Sequence, residues 1–153
     1  MDKDKRQLNV SAIKDGTVID HIPVNNVFKV IRILDLENKN NQMLFGDNLE
    51  SKKYGRKGLI KVQNAYFTEE EINKIALVAP TATIIEIKDF NVTAKRDVQV
   101  PDEIYNLVKC INPNCITNIE QIPTRFNVVD KQNMKLQCHY CEKFTDKDNI
   151  DFL

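Results

Sequence analysis

Three features predict an α+β fold in two domains. Over the first hundred residues, segments follow in the order strand, helix, strand, strand, helix, strand. Between Arg96 and Asp102 this patterning gives way to a charged connection ending near Pro101, and all four cysteines lie beyond it. The order of the first part suits an antiparallel sheet with two helices on one face, the split-βαβ or ferredoxin-like arrangement. The expected domains are therefore 1-98 and 99-153.

From Gln7 to Ile13 polar and apolar residues roughly alternate, Lys14-Asp15-Gly16 makes a turn, and Thr17 to Ile22 resumes a strand pattern. Pro23 and Asn25-Asn26 then precede Val27, Phe28, Val30, Ile31, Ile33 and Leu34, which cover one face of a helix starting near a Pro or Asn cap. Asn38 to Asn41 is expected to end it. Met43-Leu44-Phe45 and Gly58 to Val62 read as short strands, with a polar turn over Lys52 to Lys57 between them. Thr68-Glu69-Glu70-Glu71 is a capping box, with Ile72, Ile75, Ala76 and Val78 as the buried face behind it and Pro80 as the stop. Thr83 to Ile87 and Phe90 to Ala94 are rich in β-formers and are expected to join through a tight turn at Lys88-Asp89.

Composition fits a folded, soluble chain: 42% of residues are hydrophobic, 29% are charged, and there is no low-complexity tract or internal repeat. The 22 basic and 22 acidic side chains cancel, so no overall field draws the chain to nucleic acid or to a membrane surface. The start, MDKDKRQLNV, lacks the apolar stretch of a secretory signal, and no apolar run approaches the ~18 residues of a membrane span. A cytoplasmic protein with no nucleic-acid and no membrane partner is expected.

In that reducing setting the cysteines read as metal ligands. Cys110 and Cys115 form Cys-x4-Cys; after 22 intervening residues, Cys138 and Cys141 form Cys-x2-Cys. This is the ligand pattern of a zinc ribbon, in which two knuckles meet across a small sheet, and one structural zinc per chain is expected. A d10 ion accepts four sulfur ligands without redox cost, and its binding can supply ~10 kcal/mol or more of folding free energy. So short a C-terminal piece needs such a staple. Free thiols and a disulfide are the alternatives. Four sulfurs close the coordination shell, which argues against a catalytic metal. His139, beside a ligand, is read as an imidazole that is exposed or packed behind the ligands, with metal ligation the less favoured alternative.

In the first hundred residues the suggestive polar groups are Asp20-His21, Arg56-Lys57, Lys61 and Lys95-Arg96. An acid for ribose hydroxyls, a histidine and lysines for phosphates, and strands offering backbone groups to a base would together make a nucleotide pocket. The chain has four glycines and no Gly-rich phosphate loop, so side-chain charge and strand backbone must do the holding, as in a reversible effector site. Alternatively, Lys52, Lys53, Arg56 and Lys57 around Tyr54 make the basic, aromatic patch of a nucleic-acid-binding ribbon protein. A catalytic constellation cannot be assembled, because His21 and His139 fall in different expected domains and no nucleophile-base pair is evident.

VSAIKDGTVIDHIP, GRKGLIKVQN, ALVAPTATI and the cysteine pairs ending in CHYCEK fall in the order and approximate spacing of one family. Along nearly its whole length the chain resembles the regulatory chain of aspartate carbamoyltransferase. The resemblance implies a non-catalytic subunit whose N-terminal domain binds ATP, CTP and UTP as effectors and pairs with a second regulatory chain, while the zinc domain docks on the catalytic chain. It further implies that Val10, Ala12 and Ile13 line the base pocket, with Asp20 near ribose, Lys61 near base and ribose, and His21 and Lys95 near the triphosphate. Val18, Leu59, Ile87, Phe90 and Val92 complete the walls in this reading, and Lys57 matches a position used for a second nucleotide or a bridging metal. Ser11, Ile85 and Phe90 depart from the usual Glu or Asp, Asn and Tyr, which bears on the choice between adenine and cytosine. The Arg96 to Ile104 connection is the expected route from effector site to zinc domain.

Overall fold

A computed structural model describes residues 12–153 of the chain. The chain divides between Gln99 and Val100 into two compact units.

The first unit holds β1 (Gly16–Ile22), α1 (Val27–Ile33), β2 (Met43–Ser51), β3 (Gly55–Gln63), α2 (Glu69–Lys74), β4 (Thr83–Lys88) and β5 (Asn91–Asp97). They build one sheet in the order β2-β3-β1-β4-β5, with every neighbouring pair antiparallel. This is the split-βαβ order with β5 added at one edge. Side chains alternate between faces along each strand. Thr17 and Ile19 of β1, Ile60 and Val62 of β3 and Ile84 of β4 are almost fully buried on one face. Gly58 shares that face, and a Cβ there would lie 2.2 Å from Val27 Cγ2, so α1 rests directly on β3.

The elements differ from the sequence reading in five places, the first being the helix behind the capping box, which ends at Lys74 and gives way to a 3-10 turn over Ile75–Leu77 before Pro80. Asn26 stands at the start of α1 but does not cap it: its Nδ2 donates to Val78 O at 2.7 Å, tying α1 to the end of the second helical segment. The helix ends at Ile33, and Leu36–Asn38 is a separate 3-10 turn entered through Asp35 in the left-handed region. β2 and β3 are longer than expected, so Arg56 and Lys57 lie on a strand and only Lys52 to Tyr54 form the turn. The β4–β5 turn is Asp89-Phe90, not Lys88-Asp89: both residues have positive φ, 49° and 64°, as a two-residue type I′ hairpin demands. The capping box is present as expected, Thr68 Oγ1 accepting from Glu71 N while Glu71 Oε1 accepts from Thr68 N.

The second unit contains β6 (Glu103–Tyr105), β7 (Val108–Lys109), α3 (Ile116–Ile119), β8 (Arg125–Asp130), β9 (Lys135–Cys138), β10 (Phe144–Thr145) and β11 (Asp151–Phe152). One antiparallel sheet runs β10-β9-β8-β6, and β11 pairs with β7. Its apolar core is small, with Phe126, Leu136 and Val108 fully buried and Ile104 and Met134 beside them. Among the described residues no helix is long and apolar enough to cross a membrane.

Candidate metal centre and ligand face

The four cysteines converge in the second unit. Cys110 follows β7, Cys115 opens α3, Cys138 ends β9, and Cys141 lies in the following turn. All four Sγ atoms lie within 4.8 Å of one another, with Cys110–Cys141 at 3.6 Å and Cys115–Cys138 at 3.7 Å. These spacings are far beyond the ~2.05 Å of a disulfide. They match the ~3.8 Å edge of a tetrahedron built on ~2.3 Å metal–sulfur bonds. The donor set therefore fits a metal ion.

Local backbone holds the sulfurs in place. Cys110 receives a backbone hydrogen bond from Asn112, Cys138 receives them from Tyr140 and Cys141, and Cys141 from Lys143. Glu142 adopts a positive φ of 63° to bend the second knuckle back, and its N–H donates to Cys138 O. Asn118 Nδ2 donates to the carbonyls of Cys110 and Asn112, clasping the first knuckle, and Thr117 Oγ1 lies 3.2 Å from Cys115 Sγ. Burial pushes the Cys110 and Cys138 thiols up. Burial also opposes the thiolate at Cys141, but hydrogen bonds from Lys143, Asn112 and the neighbouring thiols outweigh it and hold Cys141 at about 7. A cation shared by all four would favour the thiolates together. His139 is exposed, stacks edge-on against Tyr140 and is not in the cluster.

Around the centre lies an exposed apolar surface of Ile111, Ile116, Ile119 and Tyr140. A cleft lined by Lys109, Ile111, Pro113, Asn118 and Asp151 adjoins Cys110.

In the first unit, strand register gathers most of the expected nucleotide residues on the sheet face away from α1. Leu44, Lys61, Val18, Ile85 and Lys95 are successive partners across β2, β3, β1, β4 and β5. Val18 and Leu59 join Ile13 in a buried cluster bordered by Leu49, Ile85 and Ile87. Asp20 pairs with Thr83, which in turn pairs with Asp97. Ala12 is exposed next to Ile13, and Val10 and Ser11 lie outside the described residues.

The charged groups interlock. Lys57 Nζ forms an ion pair with Asp20 Oδ1 at 2.8 Å, and the same oxygen accepts from His21 N at 2.7 Å. Desolvation lowers the pKa of Lys61, with the Asp20 charge acting in the opposite direction. Lys95 is exposed and makes no ion pair among the described residues. Phe90 and Val92 lie exposed at the β4–β5 hairpin. Backbone bonds from Phe90 N to Lys14 O and from Asn64 N to Asp15 O fasten the segment before β1 to the same end of the sheet. Of the basic patch, Lys53 lies over the Tyr54 ring at 5.2 Å and Lys57 is engaged by Asp20.

Two groups beside this face carry no signal in the sequence alone. Thr83 and Asp97 connect to the His21 ring only through the register of β1, β4 and β5 and the bulge between Ile19 and Ile22.

Two family models match the chain. One, described as the allosteric domain of the aspartate carbamoyltransferase regulatory chain, covers residues 8–99; the other, described as its metal binding domain, covers 102–151. Curated relatives carry the name aspartate carbamoyltransferase regulatory chain. That of Bacteroides thetaiotaomicron is 46% identical over 153 residues, covering 100% of both chains. That of Pyrococcus horikoshii is 50% identical over 146 residues, covering 94% of this chain and 96% of its own. That of Thermococcus sibiricus is 49% identical over 145 residues, 95% of this chain and 96% of its own.

Proposed function

The chain belongs to the family of aspartate carbamoyltransferase regulatory chains, and from that premise we propose that its first unit senses nucleoside triphosphates while its second unit holds zinc and grips the catalytic chain. As a regulatory chain it is a non-catalytic subunit that associates with the catalytic chain.

The observation that carries the nucleotide reading is the cross-sheet row Lys61, Val18, Ile85, Lys95, with Asp20 and His21 beside it. A base lies against Ile13, Val18 and Leu59, the ribose hydroxyls face Asp20, and Lys61 reaches base and ribose. His21 and Lys95 meet the phosphates, with Ile87, Phe90 and Val92 closing the hairpin side. The ligands are ATP, CTP and UTP. Each shifts the complex only through its different affinity for the two quaternary states, typically ~1–3 kcal/mol of coupling. The Arg96 to Ile104 connection carries the change to the second unit.

Zinc is the ion that four thiolates in a closed tetrahedron suit best. Zinc, bound through Cys110, Cys115, Cys138 and Cys141, supplies folding free energy to a unit with a small core, and the apolar surface around it is the docking face. The regulatory chain also pairs with a second copy through the first unit. Its exposed edge strand β2 supports this, with Phe28 and Phe45 in edge-to-face contact at 5.5 Å beside Leu44. The protein works in the cytoplasm, where reduced thiols are available to the metal.

Reconstitution tests the whole reading. Catalytic trimers of a family member mixed with this chain should form a larger assembly whose rate changes with ATP or CTP. An assembly whose rate ignores every nucleoside triphosphate would contradict the sensing role, and no assembly at all would contradict the docking role.

A further inference from the structure

The bulge in β1 turns His21 so that its ring meets β4. His21 Nδ1 lies 3.0 Å from Thr83 Oγ1, and Thr83 Oγ1 lies 3.0 Å from Asp97 Oδ1. The directions of these two bonds are fixed by chemistry. An ionised carboxylate only accepts, so the single hydroxyl proton of Thr83 goes to Asp97. Thr83 must then accept from His21, which places a proton on Nδ1. Nε2 makes no hydrogen bond among the described residues and is the ring atom left for a ligand.

We propose that Asp97, acting through Thr83, is a positioning residue that keeps the proton on His21 Nδ1, so that His21 meets a phosphate only as the imidazolium and effector binding takes up a proton. A neutral ring in this tautomer presents a lone pair at Nε2, which repels a phosphate oxygen. The second proton turns Nε2 into a charge-assisted donor. The inference rests on the nucleotide reading of this face, but the tautomer itself does not.

Other charged and polar groups surround His21. Asp20 accepts from the His21 amide, Lys57 pairs with Asp20, Lys61 feels the Asp20 charge, and the Tyr54 ring meets the imidazole edge-on at 5.5 Å. Thr81 Oγ1 donates to the His21 carbonyl and holds the backbone. Asp97 is thus the acidic group that acts on Nδ1, while Asp20 acts on the main chain.

The test uses the full metal-loaded chain, with His139→Gln to leave one histidine signal. Nitrogen-15 NMR of the neutral ring should show the proton on Nδ1, the reverse of the preference of a free imidazole. Asp97→Asn keeps a side-chain oxygen that accepts from Thr83 and should retain the tautomer. Asp97→Ala lets Thr83 donate to the ring and should move the proton to Nε2. ATP affinity of the parent should fall as the pH is raised from acid to alkaline, and that fall should be smaller in Asp97→Ala, whose neutral ring already presents an N–H at Nε2. A neutral ring protonated on Nε2 in the parent, or a pH profile of ATP affinity that Asp97→Ala leaves equal to the parent's, overturns the proposal. A parent that shows the Nδ1 proton and binds no triphosphate leaves the tautomer standing and overturns both the proton-coupled binding and the nucleotide reading beneath it.

Discussion

Lys57 Nζ stands 2.8 Å from Asp20 Oδ1, with the two side chains only 20% and 16% exposed. A pair this sheltered differs from the surface pairs Arg125–Glu103 and Lys131–Asp102, where water competes for both partners. It fixes Asp20, whose charge also acts on Lys61. Replacing Lys57 by Met should leave Asp20 without its counter-charge and destabilise the first unit by ~1–2 kcal/mol, read as a lower urea midpoint at neutral pH.

Lys61 sets a pH signature. Burial lowers its pKa below the unfolded value, so the unfolded chain binds this proton more readily. Stability should therefore rise with pH across the window from the lowered value up to the ordinary lysine value. In Lys61→Met that alkaline rise should diminish while ATP binding weakens. Urea midpoints measured through the alkaline range, with the parent beside the variant, check the sign.

Gly58 is a packing prediction. A Cβ at this position would overlap Val27 Cγ2 at 2.2 Å, so Gly58→Ala should push α1 off β3 and cost about 1–3 kcal/mol. The loss should appear in thermal unfolding of the first unit, and metal content should stay unchanged.

Cys115→Ser removes one corner of the sulfur tetrahedron, next to a core of few large side chains. The second unit should lose most of its metal affinity and unfold, a loss of several kcal/mol, while the first unit keeps its circular dichroism and ATP binding. One equivalent of zinc in the parent and almost none in the variant, by elemental analysis, is the expected result.

The parts of the fold that were legible in the sequence are those fixed by local chemistry. The capping box at Thr68 acts within a few residues, and strand alternation around Val18 gives both the strand and its faces. The cysteine spacing pointed to the sulfur cluster for the same reason. Asn26 misled because its side chain found a tertiary acceptor, Val78 O, in place of its own helix. The Asp89-Phe90 turn was hidden because a bulky residue adopts positive φ there, against its own preference. Thr83 and Asp97 could not be found from spacing, since only the register across three strands brings them to His21.

Calorimetric titration of the intact, metal-loaded chain with ATP and CTP tests the central claim most directly. Saturable binding is expected, weakened in Lys95→Ala by ~1.5–3 kcal/mol, the size of a lost charge-assisted phosphate contact. No heat at millimolar concentrations of either nucleotide, or an affinity that Lys95→Ala leaves untouched, would contradict the account of the open sheet face as the effector site.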